Sequence, residues 1–264
     1  MEEDKIILEN KVKLSVIIIT KNEEKNIERC LKSVKWADEI IVVDSYSTDN
    51  TLSIVKRYTD KIYQNKWSGY ANQRNFGAGQ ASNDWVLCID SDEVVTINLS
   101  MEIKKTLRNN VHYNGYFIPM KNCMFDYWMK YSGLNRQYHL RLYNKLKGKW
   151  IKDIHEIVKI NGKIGCLKNI ILHYAYNSIS DLVKKMDIYT DLEAKALYEK
   201  NIKFSKWKAI KNPIIIFIYK YIFQRGFLDG SPGLIWAVSL GYYNFLKWQK
   251  VWEMYAKDEG GKGK

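Results

Sequence analysis

The sequence predicts an α/β protein, with a mainly parallel sheet and flanking helices in its first half and a helical, basic appendage after it. Three observations carry this. Short β-branched runs, typical of strands buried on both faces, alternate with segments of helical spacing up to about residue 95, which implies right-handed crossovers and parallel pairing. Three of those runs end in Thr20, Asp44 and Asp90. Beyond residue 180 the apolar residues keep helical spacing while lysines and tryptophans accumulate.

The elements follow in order. Leu14–Thr20 is the first strand, and Asn22 opens a helical pattern with Ile27, Leu31 and Val34 on one face. Glu39–Asp44 is a second strand, and Ser47-Thr-Asp-Asn precedes a helix that turns Leu52 and Val55 inward. Residues 61–63 and Trp85–Asp90 supply two more strands. From about residue 113 the pattern becomes hairpin-like over 113–120, 138–143, 157–160 and 170–174, with Asn161-Gly162 as a tight-turn signal. From Ser180 a helix carries Leu182, Met186 and Tyr189 on one face. Two apolar stretches, 213–223 and 233–245, flank residues 225–232, and 260–264 has the composition of an unstructured tail. The expected division is residues 1–178 and 179–264.

Lys and Arg number 42 against 29 Asp and Glu, a net charge of +13. The excess is uneven: residues 1–100 hold 13 basic and 16 acidic residues, and the remainder holds 29 and 13. Such a back half suits nucleic acid, an anionic membrane surface or a phosphorylated substrate. At 46% hydrophobic and 27% charged residues, disordered and collagen-like classes are excluded. Cys30, Cys88, Cys123 and Cys166 lie far apart without a C-x-x-C pair, which favours a reducing compartment over a zinc finger or disulfide framework. The opening Met1-Glu-Glu-Asp is unlike a signal peptide, and no run reaches the roughly 18 apolar residues of a spanning helix, so the expected location is cytoplasmic.

Chemistry concentrates at the strand ends, where open parallel sheets bind their ligands. Asp90-Ser-Asp92-Glu93 places two carboxylates on a turn leaving a buried strand, where they can meet one Mg²⁺ or Mn²⁺ that bridges a diphosphate. The plainer alternative is a polar turn whose acids cap the next helix. Asp44 can accept hydrogen bonds from a nucleobase or a ribose hydroxyl; as a helix cap it competes with Ser47 and Asp49. The first turn, Thr20-Lys-Asn-Glu-Glu, lacks G-x-G-x-x-G, and no P-loop occurs, which argues against NAD and P-loop ATP use.

Residues 15–23 (Ser-Val-Ile-Ile-Ile-Thr-Lys-Asn-Glu), 41–51 (Ile-Val-Val-Asp-Ser-Tyr-Ser-Thr-Asp-Asn-Thr), Gln73-Arg74-Asn75 and 84–93 (Asp-Trp-Val-Leu-Cys-Ile-Asp-Ser-Asp-Glu) together resemble a family 2 glycosyltransferase. Segments 150–156, 173–189 and 226–230 are similar to the branch that adds glucose or a related sugar to the lipopolysaccharide inner core. The resemblance implies a GT-A fold, a UDP-sugar donor, a Mn²⁺ or Mg²⁺ ion and inversion at the anomeric carbon. It implies that Thr20, Asn22, Glu23, Asp44 and Arg74 hold the nucleoside and diphosphate. Asp90 would touch the ribose or a metal water and Asp92 would ligate the metal; Ser91 stands where the branch more often has Ala.

Inverting transfer needs a base for the acceptor hydroxyl, and Asp153-Ile-His155-Glu156 offers candidates. Glu156 matches the acidic position of the branch and is the expected base; His155 would contact the diphosphate or the metal. His173 is a weaker metal candidate, since a lone His after an apolar run is more often a core residue. Trp207, Trp236, Trp248 and Trp252, interleaved with lysines, suit helices lying at a membrane surface or an ordinary aromatic-packed appendage. The expected partners are a nucleotide sugar, an anionic glycan or glycolipid acceptor and an anionic membrane, with no nucleic acid. The alternatives are a protein or cell-wall polymer acceptor, or a non-catalytic basic binding module.

Overall fold

A computed structural model describes residues 12–108, 112–151 and 156–261. The described residues up to 120, with 137–173, form one compact unit, and 121–136 with residues from 174 onward form a second. The strands are β1 (Leu14–Thr20), β2 (Glu39–Asp44), β3 (Ile62–Gln64), β4 (Trp85–Asp90), β5 (Glu93–Val95), β6 (Gly115–Met124), β7 (Tyr127–Trp128), β8 (Gln137–Asn144), β9 (Gly148–Ile151), β10 (Ile157–Ile160), β11 (Ile164–Cys166) and β12 (Ile171–Tyr176). The main sheet runs β3-β2-β1-β4-β8-β6-β12-β5. β3, β2, β1 and β4 are parallel, as the alternating pattern predicts, and β8 joins β4 antiparallel.

The β-branched strand β1 is buried along its whole length, and its period of two serves two cores. Val16 and Ile18 face a cluster with Leu31 of α1 (Ile27–Ser33). Ile17 and Ile19 face the other side, with Ala78 of a later helix and Trp150 of β9. After β2 comes α2 (Thr51–Val55), and after β3 comes α3 (Tyr70–Gln80), an element that the apolar pattern does not predict. Its buried face is Ala71, Gln73, Arg74, Gly77 and Ala78, so it carries no apolar stripe. A Cβ on Gly77 would lie 2.5 Å from Ile17 Cγ2, so only glycine lets this helix lie so close on the sheet. α4 (Ile97–Arg108) packs Leu99, Ile103 and Leu107 onto the first cluster.

Three expectations are corrected. The first helix begins at Ile27 rather than Asn22, which takes left-handed backbone with φ 54°. Asn161-Gly162 is a turn with φ 113° at Gly162, but it closes no hairpin: β10 pairs with β9, whereas β11 pairs parallel with β6. The last helix continues to Gly261, so residues 260 and 261 of the expected tail are helical, and 262–264 lie outside the described residues.

The second unit holds α5 (Ile179–Glu199), α6 (Lys206–Ile218) and α7 (Gly230–Gly261). Ser178 and Ser205 cap α5 and α6 by accepting from the Asp181 and Lys208 amides. α6 runs on as a π-helical turn, Tyr219–Phe223, so Pro213 lies inside a helix rather than opening one. Residues 226–229 form a 3-10 turn whose buried Asp229 accepts from the amides of Lys130 (3.0 Å) and Tyr131 (2.9 Å). This bond fixes a segment with left-handed backbone at Phe125, Asp126, Ser132 and Gly133. Among the described residues no helix is long and apolar enough to cross a membrane.

At the opening of β2, Glu39 ties three segments together. It accepts from Ser15 and Lys61, and from Ser82 at 2.8 Å and 2.9 Å. Burial alone would raise its carboxyl, but these donors outweigh it and hold the pKa at about 2 against an ordinary 4.5. The stabilisation is therefore complete above pH 4.5 and is lost as pH falls toward 2. Urea denaturation should find Glu39→Gln less stable than the native chain by on the order of 2–3 kcal/mol at pH 7, with the gap narrowing as pH falls through 3. A gap independent of pH would show that the carboxylate charge contributes nothing.

Candidate functional site

Register alone gathers the strand-end residues. β1 and β2 set Thr20 opposite Asp44, and β1 and β4 set Ile19 opposite Asp90, so Thr20, Asp44 and Asp90 lie along the carboxyl edge of three adjacent strands. The Thr20 hydroxyl is buried without a hydrogen-bond partner among the described residues, an open polar group at this edge.

The loops after β1 and β2 are stitched together by side chains. Asn22 accepts from the Thr48 amide at 2.8 Å, and its own amide donates to the Ser47 hydroxyl at 2.8 Å. The Glu23 amide donates to Thr51 Oγ1 at 2.8 Å, and the Glu23 carboxylate accepts from Asn26 at 2.6 Å. Asp44, fully buried, accepts from the Ser47 amide (3.0 Å) and hydroxyl (2.5 Å). The helix start is served instead by Asp49, which accepts from the Thr51 amide at 3.0 Å. Left-handed backbone at Asn22 and Tyr46 shows both loops held in one strained arrangement.

The centre of the site is an arginine–carboxylate network. Arg74 on α3 is 2% exposed and reaches Asp90 Oδ1 at 2.7 Å, while its other terminal nitrogen pairs with Glu156. Its guanidinium lies 4.6 Å from the Trp150 ring centroid. Asn75 fixes that tryptophan by exchanging two hydrogen bonds with the Trp150 backbone, at 2.9 Å and 3.0 Å. Arg141 on β8 donates to the second Asp90 oxygen at 3.1 Å and to Glu93 at 2.6 Å. Arg141 was not anticipated from the sequence; the available signal was a charge set between Leu140 and Leu142, in the part of β8 that is buried.

The charges follow from these contacts. Burial would raise the Asp90 carboxyl, but the two guanidiniums override it and hold it well below the usual carboxylate range. Glu93 goes the other way, because burial outweighs the pull of Arg141 and raises it above the usual range. His173, opposite Glu93 on β12, sets Nε2 3.5 Å from Asp92 Oδ2. Burial lowers its pKa, yet the surrounding carboxylates, Asp92 foremost, raise it overall.

These residues fit a divalent cation in one way. Asp92 and His173 offer a carboxylate and an imidazole side by side, a donor pair that Mn²⁺ accepts, with further positions left to phosphate oxygens and water. Asp90 has both oxygens on arginines, and the described residues contain no group of three acidic, His or Cys side chains arranged to hold a metal. His155 lies outside the described residues. Glu156 lines a cavity of about 260 Å³ with Arg141, His139, Trp150, Tyr138 and Phe117, so its carboxylate stands where the arginine network meets open space.

The family model described as glycosyl transferase family 2 matches residues 15–158. An uncharacterized glycosyltransferase of Rickettsia typhi is 35% identical, over 93% of this chain and 88% of that protein. The lipopolysaccharide core biosynthesis glycosyltransferase LpsC of Rhizobium meliloti is 28% identical, over 93% of this chain and 94% of its own length. The crystal structure of Staphylococcus aureus TarS 1–349 is similar at 19% identity and a TM-score of 0.49, covering 93% of this chain and 92% of that one.

Removing the Arg141 charge leaves Glu93 buried without its cation. Arg141→Met should lower unfolding free energy in urea by roughly 3–5 kcal/mol, and adding Glu93→Gln should recover part of that loss. A loss below about 1 kcal/mol would mean that the pair is not desolvated as described.

Proposed function

The chain belongs to glycosyl transferase family 2 and is a glycosyltransferase, and from that premise we propose that it transfers a hexose, glucose in the first instance, from a UDP-sugar to a hydroxyl of a lipopolysaccharide core or similar anionic glycolipid, with inversion. The observation that carries the reading is the alignment of Thr20, Asp44 and Asp90 along one sheet edge, with Asp92–His173 and Glu156 beside it. A basic binding module has no use for that arrangement. The name of the Rhizobium meliloti relative supports the acceptor class.

In this reading Thr20, Asn22, Glu23 and Asp44 take the nucleoside and Arg74 the diphosphate, Arg74 keeping a buried Nε–H with no acceptor among the described residues. Asp92 and His173 would hold Mn²⁺ or Mg²⁺, and Asp90 would face the ribose or a water of the cation. A cation bound there would neutralise the charge that builds on the departing diphosphate. Glu156 takes the proton of the acceptor hydroxyl as its oxygen bonds to the anomeric carbon. The bond from that carbon to the diphosphate oxygen breaks, and its electron pair leaves with UDP. Residues 1–178 perform this chemistry, and the helical 179–264 meets the acceptor or the inner face of the cytoplasmic membrane.

The test is transfer from UDP-glucose in the presence of Mn²⁺, with two variants. Glu156→Gln should slow transfer by roughly 10²–10⁴-fold while UDP binding stays measurable, shifted only by the loss of one partner of Arg74, and Asp92→Asn should lose at least ~100-fold. If UDP binding collapses in Glu156→Gln, that residue belongs to the donor site; near-native turnover of Asp92→Asn would remove the metal role.

A further inference from the structure

The second unit leaves one helix face bare. From Lys200 through Gln224 the chain carries six lysines, Lys200 included, and no aspartate or glutamate. Within this stretch Trp207, Ile210, Ile214, Ile218 and Ile222 recur at helical spacing along α6 and its π-helical turn, and all are exposed. Trp207 is 70% exposed, and Phe223 at the far end is 74% exposed. The opposite face is occupied: Ala209 is buried with Trp248 and Val251 of α7, and a Cβ on Gly241 would lie 3.1 Å from the Pro213 carbonyl oxygen. A contiguous apolar face of this kind marks an interaction surface.

The charge decides what covers it. A second copy presenting the same face would set lysines against lysines with no acid in the segment to separate them. An anionic lipid surface complements both features, because the isoleucines enter the acyl boundary while Lys206, Lys208 and Lys211 stay at the headgroups. Lys211 already lies 5.8 Å over the Trp207 ring, an amphipathic pair suited to that boundary. The helix lies on the bilayer rather than across it, since no described helix is long and apolar enough to span. We propose that the outer face of α6 docks this chain onto an anionic bilayer surface. The inference deepens the functional reading above and rests on it for purpose, since an enzyme held at a membrane meets a glycolipid acceptor there.

The experiment is co-sedimentation of the full chain with phosphatidylglycerol-containing and with pure phosphatidylcholine vesicles. The expected result is binding to the anionic vesicles alone, released by high salt. The double variant Ile214→Glu/Ile218→Glu should bind at least ~10-fold more weakly, as should Lys206→Gln/Lys208→Gln/Lys211→Gln. Brominated lipid should quench fluorescence less in Trp207→Phe than in the native chain. Equal binding to both vesicle types, unaltered binding of both variants, or a dimer in sedimentation equilibrium that Ile214→Glu/Ile218→Glu dissociates would overturn it, the last assigning the face to a second copy. UDP titration of the same samples separates the two readings: a chain that binds vesicles but not UDP contradicts the donor assignment alone, and the reverse contradicts the docking face alone.

Discussion

A guanidinium taken out of water must be met by anions, and the site is arranged around that requirement at Arg74. Its desolvation would be prohibitive without partners, so the end of β4 and the segment before β10 are drawn to it through Asp90 and Glu156. Trp150 covers the guanidinium, and Asn75, the next residue on α3, locks the Trp150 backbone in place. Gln73 on the same turn accepts from Asn65 at 3.0 Å and donates to the Lys66 carbonyl at 2.9 Å, which ties the loop after β3 to the helix. Gln73, Arg74 and Asn75 thus anchor three separate stretches of chain.

Arg141 applies the same constraint from β8. It shares Asp90 with Arg74 and satisfies Glu93, so two buried cations answer three acids around one strand end. The result is a carboxylate at Asp90 fixed in place and ionised, next to Asp92, which faces His173. The loops carrying Asn22 and Ser47 are likewise set before any ligand arrives, since these two side chains bond to each other's loop backbone. Preorganised polar groups of this kind suit a reaction whose barrier is set by charge building on a leaving group.

Much of this was legible in the sequence, for identifiable reasons. β1, β2 and β4 are short β-branched runs buried on both faces, and their bounds match the expectation because nothing else fits such a run. The convergence of Thr20, Asp44 and Asp90 follows from parallel register, which strand–helix alternation dictates. α3 was not legible, because its buried face is made of Gln, Arg, Gly and Ala, and apolar periodicity cannot see it. Arg141 had no motif, and its partners lie 48 and 51 residues away, a pairing that only the fold brings about. His173 is only a weak metal candidate in the sequence, because its apolar neighbours equally suit a core residue; the pairing of β12 with β5 sets it opposite Glu93 and beside Asp92. In the second unit, the Gly226–Asp229 turn resembled a family segment, and its visible use is to hold the strained segment around Phe125 and Ser132.

The measurement that bears most directly on this account is a double-mutant cycle between Arg74 and Glu156, read from urea denaturation of the native chain, Arg74→Met, Glu156→Gln and the double variant. If the two side chains form one desolvated pair at the centre of the site, the single losses will fail to add by about 1–3 kcal/mol. Additivity within about 0.5 kcal/mol would show them to be independent, and the network would no longer explain how the site is held together.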